Sequence, residues 1–126
     1  MIRLLGVRKF SFEKLTVWEK AQSYTLQVYR LTATFPTEEA YGLTRQMRRS
    51  AVSISSNIAE GTSRNSNRDK ARFIEIAYGS LMENLNQLLL AEKLEYISQE
   101  EIENMRPKIE EIGRMLNGLR MRYKND

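Results

Sequence analysis

The sequence predicts an all-α protein, an antiparallel up-down-up-down four-helix bundle. Three observations predict it. Apolar residues recur at helical spacing in four stretches joined by short connectors, and no run alternates convincingly with period two. Proline and glycine are scarce, two and six residues in 126, so disorder and low complexity do not describe the bulk of the chain. The last stretch carries an unbroken heptad seam, in which Ile102, Met105, Ile109, Ile112, Leu116, Leu119 and Tyr123 step alternately by three and four. A chain of this length reads as one domain, residues 1–126, able to bury about two-thirds of its unfolded surface.

The first helix is expected from about Thr16 to Phe35. Thr16-Val17-Trp18-Glu19 has the form of a capping box, and Trp18, Ala21, Val28, Leu31 and Phe35 share a face. Pro36 ends it, because the residue before a proline is pushed out of the helical region. After a connector containing Gly42, a second helix is expected from Thr44 to Glu60, striped by Leu43, Met47, Ser50, Ile54 and Ile58. Gly61 suits the left-handed position after a helix C-terminus. Thr62 to Asn67 is a polar loop, and Ser66-Asn67-Arg68-Asp69 caps a third helix reaching about Leu94. That helix carries Phe73, Ile74, Ala77, Leu81, Leu85, Leu88 and Leu89. Ser98-Gln99-Glu100-Glu101 is a second capping box, opening a fourth helix to about Tyr123. Pro107 lies inside it and is expected to bend it rather than split it, since the seam stays in phase on both sides. Residues 1–12 read as an N-terminal arm and residues 124–126 as a frayed tail.

The chemistry is defined first by what is missing. With no Cys there is no disulfide framework or thiolate site, and with no His the commonest general base and zinc ligand are gone. The abundant serines lack a histidine to activate them, and a bundle di-metal centre wants Glu-x-x-His motifs. A non-enzymatic protein without metal or cofactor is the expectation. No apolar run approaches the ~18–20 residues of a membrane helix, and the reading is of a cytoplasmic protein with no membrane partner.

Charge is segregated. The net charge of +4 comes from 20 basic and 16 acidic residues. From Arg45 to Arg72 there are seven basic residues (Arg45, Arg48, Arg49, Arg64, Arg68, Lys70 and Arg72) against Glu60 and Asp69. From Glu92 to Glu111 seven acids face three bases, and the tail returns to positive through Arg114, Arg120, Arg122 and Lys124. The basic set, expected at one end of the second and third helices, is the candidate nucleic-acid-binding surface, working by phosphate neutralisation rather than base reading. It reads equally as surface charge paired between subunits with the acidic fourth helix. Asn57 and Glu60, one turn apart, read as structural, and Gly79-Ser80 as small residues for close helix approach. Trp18, Tyr24, Tyr29, Phe35 and Tyr41 read as core or subunit interface, and Leu88-Leu89-Leu90 exceeds what an isolated bundle buries.

The run Phe35-Pro36, Glu39, Tyr41-Gly42-Leu43-Thr44, Gln46, Arg48-Arg49 and Ser53-Ile54-Ser55-Ser56-Asn57-Ile58-Ala59-Glu60-Gly61 resembles the 23S rRNA intervening-sequence protein family. Leu15-Thr16-Val17-Trp18, Phe73, Ile76-Ala77-Tyr78-Gly79-Ser80 and Leu94-Glu95-Tyr96-Ile97 extend the resemblance to roughly Phe12–Leu119. It implies a four-helix bundle assembled as a homopentamer, with no catalytic activity, encoded in insertions within bacterial 23S rRNA genes or elsewhere in genomes. A related branch comprises accessory proteins of diversity-generating retroelements, which bind a reverse transcriptase and nucleic acid. Two departures stand out: Pro107 in the fourth helix, and Glu95 where a glycine is common. The expected function is a homo-oligomeric binding module for RNA or an RNA-containing complex. The alternative is a protein-interaction adaptor, such as an accessory subunit of a reverse transcriptase.

Overall fold

The computed structural model of the chain describes residues 10–125, so residues 1–9 of the expected arm and residue 126 of the tail lie outside it. Four helices make the fold: α1 (Thr16–Thr32), α2 (Leu43–Thr62), α3 (Asn67–Lys93) and α4 (Gln99–Asn125), with 3₁₀ turns at Ser11–Lys14 and Thr37–Glu39. Lys124, expected in the frayed tail, sits in the last turn of α4 and pairs with Glu75 at 2.9 Å.

The entry to α1 differs from expectation. Leu15, not Thr16, is the N-cap residue, and no side chain caps the helix. The backbone of Leu15 takes the place of a side-chain cap, its carbonyl accepting from the amides of Trp18 (3.1 Å) and Glu19 (3.3 Å). Phe12 packs edge-on against Trp18, centroids 5.1 Å apart, and fixes that approach. The helix stops at Thr32, three residues short of Phe35. The Phe35 amide then bonds the Thr32 carbonyl in a turn, and its buried ring hooks the chain onto the core ahead of Pro36.

The start of α2 is capped from outside its own first turn. The Glu39 carboxylate accepts from the Leu43 amide (3.1 Å) through Oε1 and from the Tyr96 hydroxyl (2.7 Å) through Oε2. Tyr96 also lies against Phe35, with ring centroids 5.3 Å apart. One carboxylate thus ties the α1–α2 connector to the α3–α4 turn. The Tyr96 hydrogen bond, then that of Leu43, holds the Glu39 carboxyl below its ordinary range. A folded-state pKa below the unfolded one contributes stability above the unfolded carboxylate range, which is lost as pH falls through the folded value. The urea midpoint of the wild type should therefore drop on acidification, and the gap between it and Glu39→Gln should be widest at neutral pH and close below about pH 4.

Gly61 is the clearest local correction. It lies inside α2, buried and helical, not in a left-handed position beyond it. A Cβ there would come within 2.7 Å of the Phe73 Cβ, so its role is to let α2 and α3 close on each other. The free carbonyls at this end are met by ordinary turns, with Ser63 N–H and Oγ donating to Glu60 and Arg64 N–H to Gly61.

The third and fourth helices begin as expected. Ser66 Oγ accepts from the Asp69 amide (3.1 Å). Ser98 Oγ accepts from the Glu101 amide (3.1 Å), while the Ser98 amide donates to Glu101 Oε1 (2.9 Å). Between them Glu95 takes the left-handed conformation (φ 64°), the only non-glycine residue among those described to do so at positive φ. The Tyr96 amide reaches back to Ala91 and the Glu95 amide to Glu92, both at 2.9 Å, which closes the helix end in a Schellman arrangement. The departure at Glu95 therefore carries a backbone cost that glycine would not. Glu95→Gly should stabilise the protein by about 0.5–1 kcal/mol, net of the looser unfolded chain, read as a higher urea midpoint at unchanged slope.

Pro107 does not split α4, which runs on through it. Both Pro107 and Glu103, whose carbonyl loses its helical donor, are exposed, so water can satisfy that carbonyl. The seam residues Ile102, Met105, Ile109, Ile112, Leu116 and Leu119 are all buried.

Cross-helix bonds make neighbouring helices antiparallel. Gln22 meets Ser55 while Arg48 meets Thr32 across α1 and α2. Gln87 meets Ser50 while Phe73 lies beside Gly61 across α2 and α3. Gly113 lies beside Leu81 while Lys124 pairs with Glu75 across α3 and α4. Tyr24, Met47, Ile54, Ile58, Ile74, Leu81, Leu88, Ile112 and Leu116 fill the space between.

That core contains a polar chain. The Tyr24 hydroxyl donates to Asn84 Oδ1 (2.5 Å), and Asn84 Nδ2 donates to the Met47 carbonyl and to Ser50 Oγ, both at 2.9 Å. Ser50 in turn donates to Gln87 Oε1 (2.7 Å), and Gln87 Nε2 to Glu83, which pairs with Arg49 at the surface. Burial raises the pKa of Tyr24, so the phenol stays protonated and remains a donor. Every link joins different helices or adjacent turns, and buried polar groups are tolerated only on those terms.

Candidate nucleic-acid interface

Helix direction decides where the basic residues go. With 20 residues in α2, its two ends lie about 30 Å apart. Arg45, Arg48 and Arg49 occupy its first turns; Arg64, Arg68, Lys70 and Arg72 lie beyond its last turn and in the first turns of α3. The structure therefore divides the seven into two groups at opposite ends of the bundle, where a single patch was expected.

The first group is largely engaged. Arg48 Nε donates to Thr32 Oγ1 (2.9 Å), its NH2 reaches the Tyr29 carbonyl (3.3 Å), and its guanidinium lies over the Tyr29 ring at 4.6 Å. Arg49 pairs with Glu83 at 2.9 Å. Arg45 joins them along a shallow groove with Tyr29, Thr44 and Val52. Acids crowd this end of the molecule: Glu38 and Glu39 before α2, Glu92 and Glu95 at the end of α3, and Glu100, Glu101 and Glu103 at the start of α4.

The second group gains company that sequence reading did not assign to it. The antiparallel arrangement brings the last turns of α4, with Arg120, Arg122 and Lys124, beside the first turns of α3. A cleft of about 670 Å³ opens between them, lined among others by Arg68, Arg72, Glu75, Tyr123 and Lys124. Glu75 sits within its cations, 2.9 Å from Lys124 Nζ and 3.8 Å from Arg120 NH1. The Lys124 hydrogen bond lowers its pKa most, with the charges of Lys124, Arg120 and Arg72 adding to that, so it remains a carboxylate. Arg120 Nε is buried without a partner. Nearby, the Arg64 guanidinium covers Phe73 at 4.4 Å and Lys70 Nζ lies 5.6 Å from the Tyr123 ring. The signal that could have found this end was available: a fourth antiparallel helix must finish where the third begins.

The remaining candidates divide between helix packing and exposed surface. Asn57 Nδ2 bonds the Ser53 carbonyl (2.8 Å) and hydroxyl (2.9 Å), and the Ser53 and Ser80 hydroxyls meet at 2.8 Å across α2 and α3. Glu60 is exposed on α2. Gly79 faces open space, with nothing within 4 Å of where a Cβ would stand, so close helix approach is not its role. Of the aromatic set Tyr24 and Phe35 are core, whereas Tyr29 and Tyr41 are exposed, Tyr41 at 88%. Leu88 is buried but Leu90 is 46% exposed.

Among the described residues no group of three or more His, Cys, Asp or Glu side chains could hold a metal ion, and no helix is long and apolar enough to cross a membrane. Among curated proteins none matches the chain closely enough to count as a relative. In fold it is similar to the crystal structure of a protein of unknown function from the S23 ribosomal protein family of Bacteroides thetaiotaomicron. The two align with a TM-score of 0.73 at 24% identity, covering 82% of this chain and 97% of the other. Residues 13–118 match the profile of the 23S rRNA-intervening sequence proteins, a span that contains all four helices but for the last turns of α4. The chain belongs to the 23S rRNA-intervening sequence protein family.

Proposed function

We propose that the protein is a non-enzymatic, homo-oligomeric module that binds RNA, or an RNA-containing complex, by its phosphates. The observation that carries this reading is the convergence of Arg64, Arg68, Lys70 and Arg72 with Arg120, Arg122 and Lys124 on one end of the bundle. The opposite end is acidic, so an approaching polyanion is oriented as well as attracted. Self-association is supported by apolar side chains left in water on the outer faces of the helices. Leu26, Tyr29 and Val52 lie on α1 and α2, and Ile76 and Leu90 on α3. A homopentamer, as the family resemblance implies, would repeat the basic end five times and multiply its field.

The test is RNA binding by fluorescence anisotropy across a salt series, with duplex DNA alongside and light scattering to give the oligomer mass. A log–log slope of about −3 or steeper is expected, the mark of several phosphates neutralised per complex. Absence of binding at low salt would overturn the reading and pass the basic end to an acidic protein partner.

A further inference from the structure

Resting on that reading, we infer that the cleft between the start of α3 and the end of α4 is a subsite for an unpaired nucleotide, so that the protein selects single-stranded RNA over duplex. Arg68 and Arg72 are one turn apart on α3, and Lys124 stands on α4, so three cations line the cleft beside the carboxylates of Asp69 and Glu75. Tyr123 forms part of its wall. Glu75 sits between the two helices, held ionised by Lys124 and Arg120.

This arrangement does not suit a duplex. A duplex offers a convex ridge of phosphates with its bases paired inside, and a flat basic surface would serve it as well or better. A concave site of about 670 Å³ falls in the range that holds small organic ligands. The Glu75 carboxylate on its wall repels a phosphate and leaves it to Arg68, Arg72 and Lys124. The same carboxylate accepts a hydrogen bond from a ribose hydroxyl, the group by which proteins tell RNA from DNA. The aromatic wall offers a stacking face, which is sequence-tolerant because every base has a π-face.

The experiment compares an unstructured oligouridine with an RNA duplex of the same length, by anisotropy on the full-length protein at one salt concentration. Oligouridine should bind about tenfold more tightly. Tyr123→Ala should remove that preference, weakening oligouridine about tenfold with duplex affinity unchanged, while Tyr123→Phe should keep it. Because Tyr123 packs partly on the core, ultraviolet cross-linking of the wild type to oligouridine provides a second readout, with the adduct expected on Tyr123. Equal affinity for the two RNAs, an oligouridine affinity that Tyr123→Ala leaves unchanged, or adducts only at the other end of the bundle would overturn the subsite. In those cases loss of both RNAs on Arg68→Glu/Arg72→Glu would leave the RNA-binding reading standing. Failure of the wild type to bind either RNA would overturn both.

Discussion

Reversing Arg68 and Arg72 together to glutamate should weaken RNA binding by about 100-fold near 0.1 M salt. It should also flatten the salt slope by about 1.4. Each phosphate contact to a single strand contributes about 0.7 to that slope, so two lost contacts remove about 25-fold at 0.1 M, and two new like charges remove more. The fold should tolerate the change. Both residues are on the first two turns of α3, where an acidic side chain is favoured by the helix dipole. The matched reversal of Arg45 and Arg49 should change affinity by less than about threefold, since these residues lie about 20 Å or more from the basic end and Arg49 already serves Glu83. Anisotropy on the two variants, with circular dichroism to confirm equal helicity, separates the two ends. A larger loss from the Arg45 and Arg49 pair would place the RNA surface at the acidic end instead.

The second large effect concerns stability. Asn84→Leu should destabilise the protein by about 3 kcal/mol and lower its Tm by about 10 °C. Leucine keeps the branched shape with bulkier ends, and it leaves the Tyr24 hydroxyl, 1% exposed, without an acceptor and takes a donor from Ser50 and the Met47 carbonyl. Adding Tyr24→Phe should recover part of that loss, because a polar pair removed from both sides costs less than one left half-made. The sign of the double-mutant cycle, read from urea unfolding, is the decisive quantity. An additive cycle would mean that the Tyr24–Asn84 bond contributes nothing.

The fold was legible in the sequence because its signals are local and repeated. The α4 seam and the Ser66 and Ser98 caps each depend on residues a few positions apart, and each appears where expected. What was missed depends on another helix. Gly61 reads as a terminator until Phe73 is seen beside it, and Thr16 reads as a cap until the Leu15 carbonyl is seen to take the first amides. Asn84 and Gln87 interrupt an apolar stripe and gain meaning only when Ser50 and Tyr24 arrive from two other helices. The basic set is the same lesson at larger scale. Arg45 and Arg64 are close in a list, but a straight helix between them carries one away from the other and toward Lys124.

The buried polar chain has a consequence for how the molecule moves. Its links run through Tyr24 on α1, Ser50 on α2 and Asn84 and Gln87 on α3, and none comes from α4. Three helices are therefore keyed together, since sliding any one of them by a turn would break bonds that have no water to replace them. The fourth is held by a regular apolar seam and by ion pairs at the surface, Lys20 with Glu111 and Glu75 with Arg120 and Lys124. A lock of three and a latch of one is a graded structure, in which α4 is the helix that opens first. In native-state hydrogen exchange its amides would form the least protected cooperative unit.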